Sequence, residues 1–194
     1  MKYFYFILLF VGSLSGFAQG PFAPYAGAPG STAISASSSD FIAWSSSVRI
    51  NRGKQDVAVE NSDTTSSGTW IQATGLADGF GVSLGDSGIA TLQFDGRIYN
   101  GNGPDLAVFE NAFNHTFLEL AFVEVSSNGI DFHRFPNRSL TDTTAPVTGF
   151  GAIEATNIHN LAGKYTALYG TPFDLADLDS VATLDVNSIS HVRI

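Results

Sequence analysis

Five side chains able to do acid, base or metal chemistry sit in two otherwise apolar stretches. "DLAVFENAF" (105–113) carries Asp105, Glu110 and Asn111, and "FLELAFVEV" (117–125) carries Glu119 and Glu124. Both stretches have the composition of β-strands. Alternate residues of a strand share a face. Leu106, Val108 and Glu110 therefore point one way, and Asp105, Ala107, Phe109 and Asn111 the other. In the second stretch Glu119, Ala121, Val123 and Val125 share one face, and Leu118, Leu120, Phe122 and Glu124 the opposite one. A carboxylate set among apolar neighbours needs a partner or takes up a proton. Three chemistries would satisfy these groups.

The first is ion pairing, with Arg97, Arg134 and Arg193 on or beside strands as partners for Glu110, Glu119 or Glu124. The second is a structural Ca²⁺ site built from Asn102, Asp105, Glu110 and Asn111, with loop carbonyls supplied by "YNGNGPD". No Glu completes a twelve-residue EF-hand loop there. The third is a glycosidase pair, Glu110 with Glu119, which requires carboxyls roughly 5–10 Å apart.

A second group of polar and aromatic residues falls in the long stretch "TDTTAPVTGFGAIEATNIHNLAGKYTALYG" (141–170). Asn157, His159, Lys164, Tyr165 and Tyr169, with Phe150 and Asn160 nearby, have the makings of a sugar-binding surface. Rings stack on the apolar face of a sugar, while amides and cations meet its hydroxyls. The favoured reading is that the same rings pin the loop to the domain.

Other chemistries are disfavoured. His115, His133, His159 and His191 are scattered without zinc-ligand spacing. "GDSG" (85–88) fits a turn, and no G-x-S-x-G, P-loop or dinucleotide fingerprint occurs. The chain has 9 basic and 18 acidic residues and no basic cluster along its length, which argues against nucleic acid and anionic membrane as partners.

The elements that must position these residues read as all-β. "MKYFYFILLFVGSLSGFAQ" has a basic start, a short apolar centre and a small-residue exit, as a secretory signal peptide does. Residues 1–19 are assigned to it, with cleavage near Ala18 or Gln19, and the protein is expected to be secreted or at the cell surface. The apolar centre is shorter than the roughly 20 residues a membrane span needs. Residues 20–40 form a Gly/Pro/Ser-rich arm whose Phe22, Tyr25 and Ile34 can dock. Residues 41–194 form one domain, able to bury about 70% of its unfolded surface. It does so without disulfides, for there is no cysteine.

Short strands with Gly, Asn and Asp turns between them indicate an antiparallel β-sandwich. Strands are expected at Val57–Val59, around Val82–Leu84, from Ile89 to Phe94, at Leu106–Phe109, at Leu118–Val125 and near the end of the chain. Asn128-Gly129 marks a hairpin returning through "IDFHRF". Thr171, Pro172 and Asp174 predict one short helix, Pro172 to Leu178. "LDVNSISHVRI" reads as a strand that the sequence leaves unfinished, as though more chain followed.

"VEVSSNGIDFHRF" (123–135) resembles the strand-turn-strand of discoidin-like jelly rolls. The region from Val82 to Ile194 resembles a group of secreted bacterial cell-surface proteins of the sorting-tail type. The matching pieces here are "AVFENAF", "ELAFVEVSSNG", "RFPN", "GFG", "TNIHNLAGKY", "GTPFDL" and "HVRI". The resemblance implies a galactose-binding-like jelly roll and no established catalysis. The expected function is a non-catalytic binding or adhesion module for carbohydrate or a cell-surface glycan. The alternatives are a polysaccharide hydrolase and a structural matrix protein.

Overall fold

A computed structural model describes residues 20–144, 147 and 151–194. The expected signal peptide and Phe150 lie outside them. The ten strands are β1 (Ile34–Ser35), β2 (Ser47–Asn51), β3 (Ile89–Ile98), β4 (Leu106–Val108), β5 (Glu124–Ser126), β6 (His133–Arg134), β7 (Arg138–Ser139), β8 (Ile158–His159), β9 (Tyr169–Phe173) and β10 (Ile189–Arg193). They form antiparallel sheets ordered β1-β9-β4, β2-β3-β10-β5-β6 and β7-β8. Helix among the described residues is limited to three 3-10 segments, Trp70–Ala73, Ala155–Asn157 and Leu175–Leu178. This is an all-β, antiparallel, sandwich-like architecture.

The two larger sheets share a core. Val108 and Phe173 come from the three-stranded sheet, and Val125, Ile189 and Val192 from the five-stranded one. Phe135 closes over Phe173 with ring centroids 5.1 Å apart. Cross-strand register explains why one face of the larger sheet is apolar. Val48 pairs Leu92, Leu92 pairs Val192 and Val192 pairs Val125. The residues one step along each strand must then face outward.

Several sequence expectations are corrected. Val57–Val59 is a turn, because the Asp56 carboxylate accepts the Ala58 N–H at 2.8 Å and diverts the backbone from pairing. Val82–Leu84 pairs with no strand. Of Leu118–Val125 only the last two residues enter β5, and Ala121 makes one isolated bridge to Ala162. Pro172 lies in β9 opposite Ala107, not in a helix. β1 covers β9 only at Tyr169 and Gly170, so a missing N–H at position 172 interrupts no ladder on that side. The helical piece shrinks to Leu175–Leu178, with Asp174 as its cap accepting from the Ala176 N–H at 2.9 Å.

The arm is docked. Within it β1 pairs β9, Phe22 stacks on His159 and Tyr25 stacks on His115. Gly170 has no Cβ because one would lie 2.8 Å from the Phe109 ring. Phe109 in turn packs on Phe41 and Trp44.

Candidate functional site

The sequence-nominated residues are not gathered in one place. Asp105, before β4, is a staple. Its Oδ1 accepts the Gly101 N–H at 2.7 Å and its Oδ2 the Leu175 N–H at 2.8 Å. Glu110 lies past the other end of β4 and accepts the Ala112 N–H at 2.6 Å. Asn102 and Asn111 are exposed. Among the described residues no three carboxylates or imidazoles come together.

Glu110 has no arginine or lysine partner among the described residues. Burial pushes its carboxyl up to about 7, partly offset by the N–H groups of Ala112 and Asn111, with the nearby Glu119 charge adding a little. Arg134 and Arg193 instead both grip Glu124, and Arg97 donates to the carbonyls of Ser127 and Ser188.

The loop residues divide by depth. Tyr165 is 1% exposed and its hydroxyl meets Thr32 Oγ1 at 2.8 Å. Lys164 is 4% exposed, with Nζ donating to the Ile158 carbonyl at 2.7 Å. Burial lowers its amine to about 8. Both hold the loop down and present no surface for stacking. His159 is exposed but covered on one ring face by Phe22, with centroids 5.0 Å apart. Asn157 is half-buried and Tyr169 lies exposed at the start of β9.

The organised polar surface lies elsewhere, on the outward face of the five-stranded sheet. Two cross-strand rows build it. One row is Ser47–Gln93–His191–Ser126 and the other is Arg49–Thr91–Arg193–Glu124, continuing to Arg134 on β6. An open groove runs over the β2, β3 and β10 members of these rows in two adjoining lobes of about 510 and 480 Å³. Ser47, Gln93 and His191 line both.

Hydrogen bonds fix the first row in place. Ser190 Oγ donates to the Ser126 carbonyl at 3.0 Å, and a carbonyl can only accept. Ser190 Oγ must then accept from His191 Nδ1–H, 2.7 Å away. His191 Nε2 is left to accept from the Gln93 amide at 2.6 Å, and Gln93 Oε1 accepts from Ser47 Oγ at 3.2 Å. The relay crosses the sheet from β2 to β5, and it places a hydrogen on His191 Nδ1.

The β5–β6 hairpin loop supplies the wall. Asn128 Oδ1 accepts from the N–H groups of Ile130 and Asp131, and Ser126 Oγ accepts from that of Gly129. This turn places Phe132 under the Arg193 guanidinium, 3.9 Å from ring centroid to Cζ, and edge-on to His191 at 6.3 Å. Glu124 sits between its two arginines. Its Oε1 takes Arg134 Nε and Nη2 at 3.0 and 2.9 Å, and its Oε2 takes Arg193 Nε and Nη2 at 2.5 Å each. Arg134 also lies 3.9 Å over the Phe122 ring.

Sequence reasoning named Arg134 and Arg193 as partners for a carboxylate but missed the groove. Its rows join residues from positions 47, 93, 126 and 191, which only strand register brings together. The arrangement can bind a flat, polyhydroxylated or charged ligand through fixed donors and acceptors. No family model matches this chain, and neither a curated protein nor a solved structure does.

Proposed function

We propose that the chain is an exported, non-catalytic module that binds carbohydrate, and that the sugar lies in the groove on the five-stranded sheet. The observation that carries this reading is the locked row Ser47–Gln93–His191–Ser190 beside the Phe132 ring. Sugars are recognised by planar polar groups held in place next to apolar rings. Here the polar groups are ordered before any ligand arrives, which lowers the entropy cost of binding. Export, the cell-surface setting and the jelly-roll winding belong to the same proposal and rest on the leader-like start and the sequence resemblance.

Binding of the protein to a glycan array tests it. Glycans that bind should do so about tenfold or more weakly to Gln93→Ala and His191→Ala, with circular dichroism unchanged. Equal binding by both variants would remove the groove from the function. Melting temperatures in Ca²⁺ and in chelator test a structural Ca²⁺: a rise of several degrees in Ca²⁺ would add the ion to this reading, and equal temperatures would remove it.

A second reading has one observation in its favour. Glu110 holds its proton up to about 7 next to the exposed Glu119, a pairing of acid and base that glycoside hydrolysis uses. Neither residue lines the groove. Release of reducing ends from a polysaccharide, abolished in Glu110→Gln, would establish the hydrolase and displace the module.

A further inference from the structure

We infer that the groove is built for an acidic glycan, one bearing uronate carboxylates or sulfate esters, with Arg49 and Arg193 as the groups that read its charge. This rests on the carbohydrate-binding reading above and narrows it.

The charge on this sheet runs against that of the whole molecule. The chain carries a net charge of −9, with only nine lysines and arginines. Four of those nine, Arg49, Arg97, Arg134 and Arg193, lie on the five-stranded sheet, whose strands carry only Asp95 and Glu124 in opposition. Three of the four share one cross-strand row with Glu124. Glu124 is saturated by Arg134 and Arg193 and can take nothing further from the row.

Two sets of donors are left over. Arg193 spends Nε and Nη2 on Glu124 and keeps its Nη1 hydrogens. Arg49 is exposed and makes no hydrogen bond or ion pair among the described residues, so its five N–H donors are free. Only Thr91 stands between the two arginines in the row. Strands lie about 4.8 Å apart, which sets the two backbones roughly 10 Å from each other. Threonine is short and arginine is long, so the pair flanks a trough wide enough for one sugar ring. A carboxylate or sulfate there can take paired N–H bonds, the strongest kind a planar cation makes. The Phe132 ring backs the Arg193 guanidinium at one wall, and the His191 relay offers fixed polar atoms to the hydroxyls next along. Nucleic acid fits less well. Its binding rests on many cation–phosphate contacts, and this row leaves only Arg49 and one edge of Arg193 free to make them.

Isothermal titration of the protein with polygalacturonate, fully methyl-esterified pectin, chondroitin sulfate, laminarin and polydeoxythymidine tests this. Polygalacturonate or chondroitin sulfate should bind. Methyl esterification should weaken binding about tenfold, as should Arg49→Gln towards the acidic ligand. Arg49→Gln should weaken binding to the ester less than binding to the acid. Affinity for the acidic ligand should fall severalfold between 0.05 and 0.5 M NaCl. Laminarin or the ester binding as tightly as the acid, with no effect of Arg49→Gln, would overturn the acidic-glycan inference while leaving the carbohydrate reading intact. Failure of every glycan, or preference for polydeoxythymidine, would overturn both.

Discussion

Two glutamates of the same pair of stretches meet opposite fates, and the cause is local. Glu124 lies between two guanidinium groups. Glu110 has N–H donors but, among the described residues, no cation, and desolvation raises it from its ordinary 4.5 to about 7. A carboxyl raised on folding favours the folded state below its unfolded value and loses that advantage as pH rises through the folded one. Glu110 therefore contributes stability that is fully present below about 4.5 and gone above about 7. Glu110→Gln keeps an acceptor for the Ala112 N–H and removes the charge. The variant should melt above the wild type at pH 8.5, and the gap should close towards pH 4.5. A gap that does not change with pH would show that Glu110 is solvated. Lys164 gives the mirror image. Burial lowers its amine from 10.5 to about 8, so the stability it contributes is present above 10.5 and lost as pH falls through 8. Urea midpoints of the wild type relative to Lys164→Met should rise between pH 8 and 10.5. A flat difference would place the amine in water.

At the scale of the element, the β5–β6 hairpin shows how a turn can set a site. Gly129 has a φ of 77°, which disfavours a side chain, and a Cβ there would lie 2.7 Å from the His191 ring. Gly129→Ala must therefore strain the turn and push the imidazole out of the Gln93–Ser190 relay. A loss of about 1–2 kcal/mol in urea denaturation is expected, together with displaced His191 ring resonances in NMR. Ring resonances left in place would show that the turn and the relay are independent. This turn was legible in the sequence because Asn-Gly writes its conformation locally. So was β3, whose alternation the sheet uses, with Ala90 buried and Gln93 exposed. The stretch from Leu118 to Val123 was not legible. It has strand composition, but Phe122 turns outward beneath Arg134, and Ala121 alone finds a bridging partner. Composition records what a residue prefers and leaves out which neighbour is in reach. The Pro172–Leu178 segment failed for the same reason. Its capping signals were real, and Asp174 does cap, but pairing with β4 held Pro172 and Phe173 extended. The groove was the least legible part, since its rows depend on three long-range registers.

For the whole molecule, salt should act in two directions at once. The net charge of −9 makes the compact state repel itself, and ions screen that repulsion. Among the described residues the ion pairs that could lose stability in salt are few, and Glu124 is shielded at 14% side-chain exposure. Raising NaCl from 0.05 to 0.5 M should therefore raise the melting temperature by about 2–4 °C, the shift that roughly 1 kcal/mol produces in a chain of this size. Arg49 faces solvent without a partner among the described residues, so the same salt should weaken its hold on an anionic ligand. Stability and affinity would then move oppositely along one titration, which few other charge distributions produce. If salt lowered both, the arginines would be bracing the fold more than reading a ligand. If salt left both alone, the acidic surface and the basic row would each be neutralised within the molecule. Differential scanning calorimetry and titration calorimetry on one salt series separate these cases.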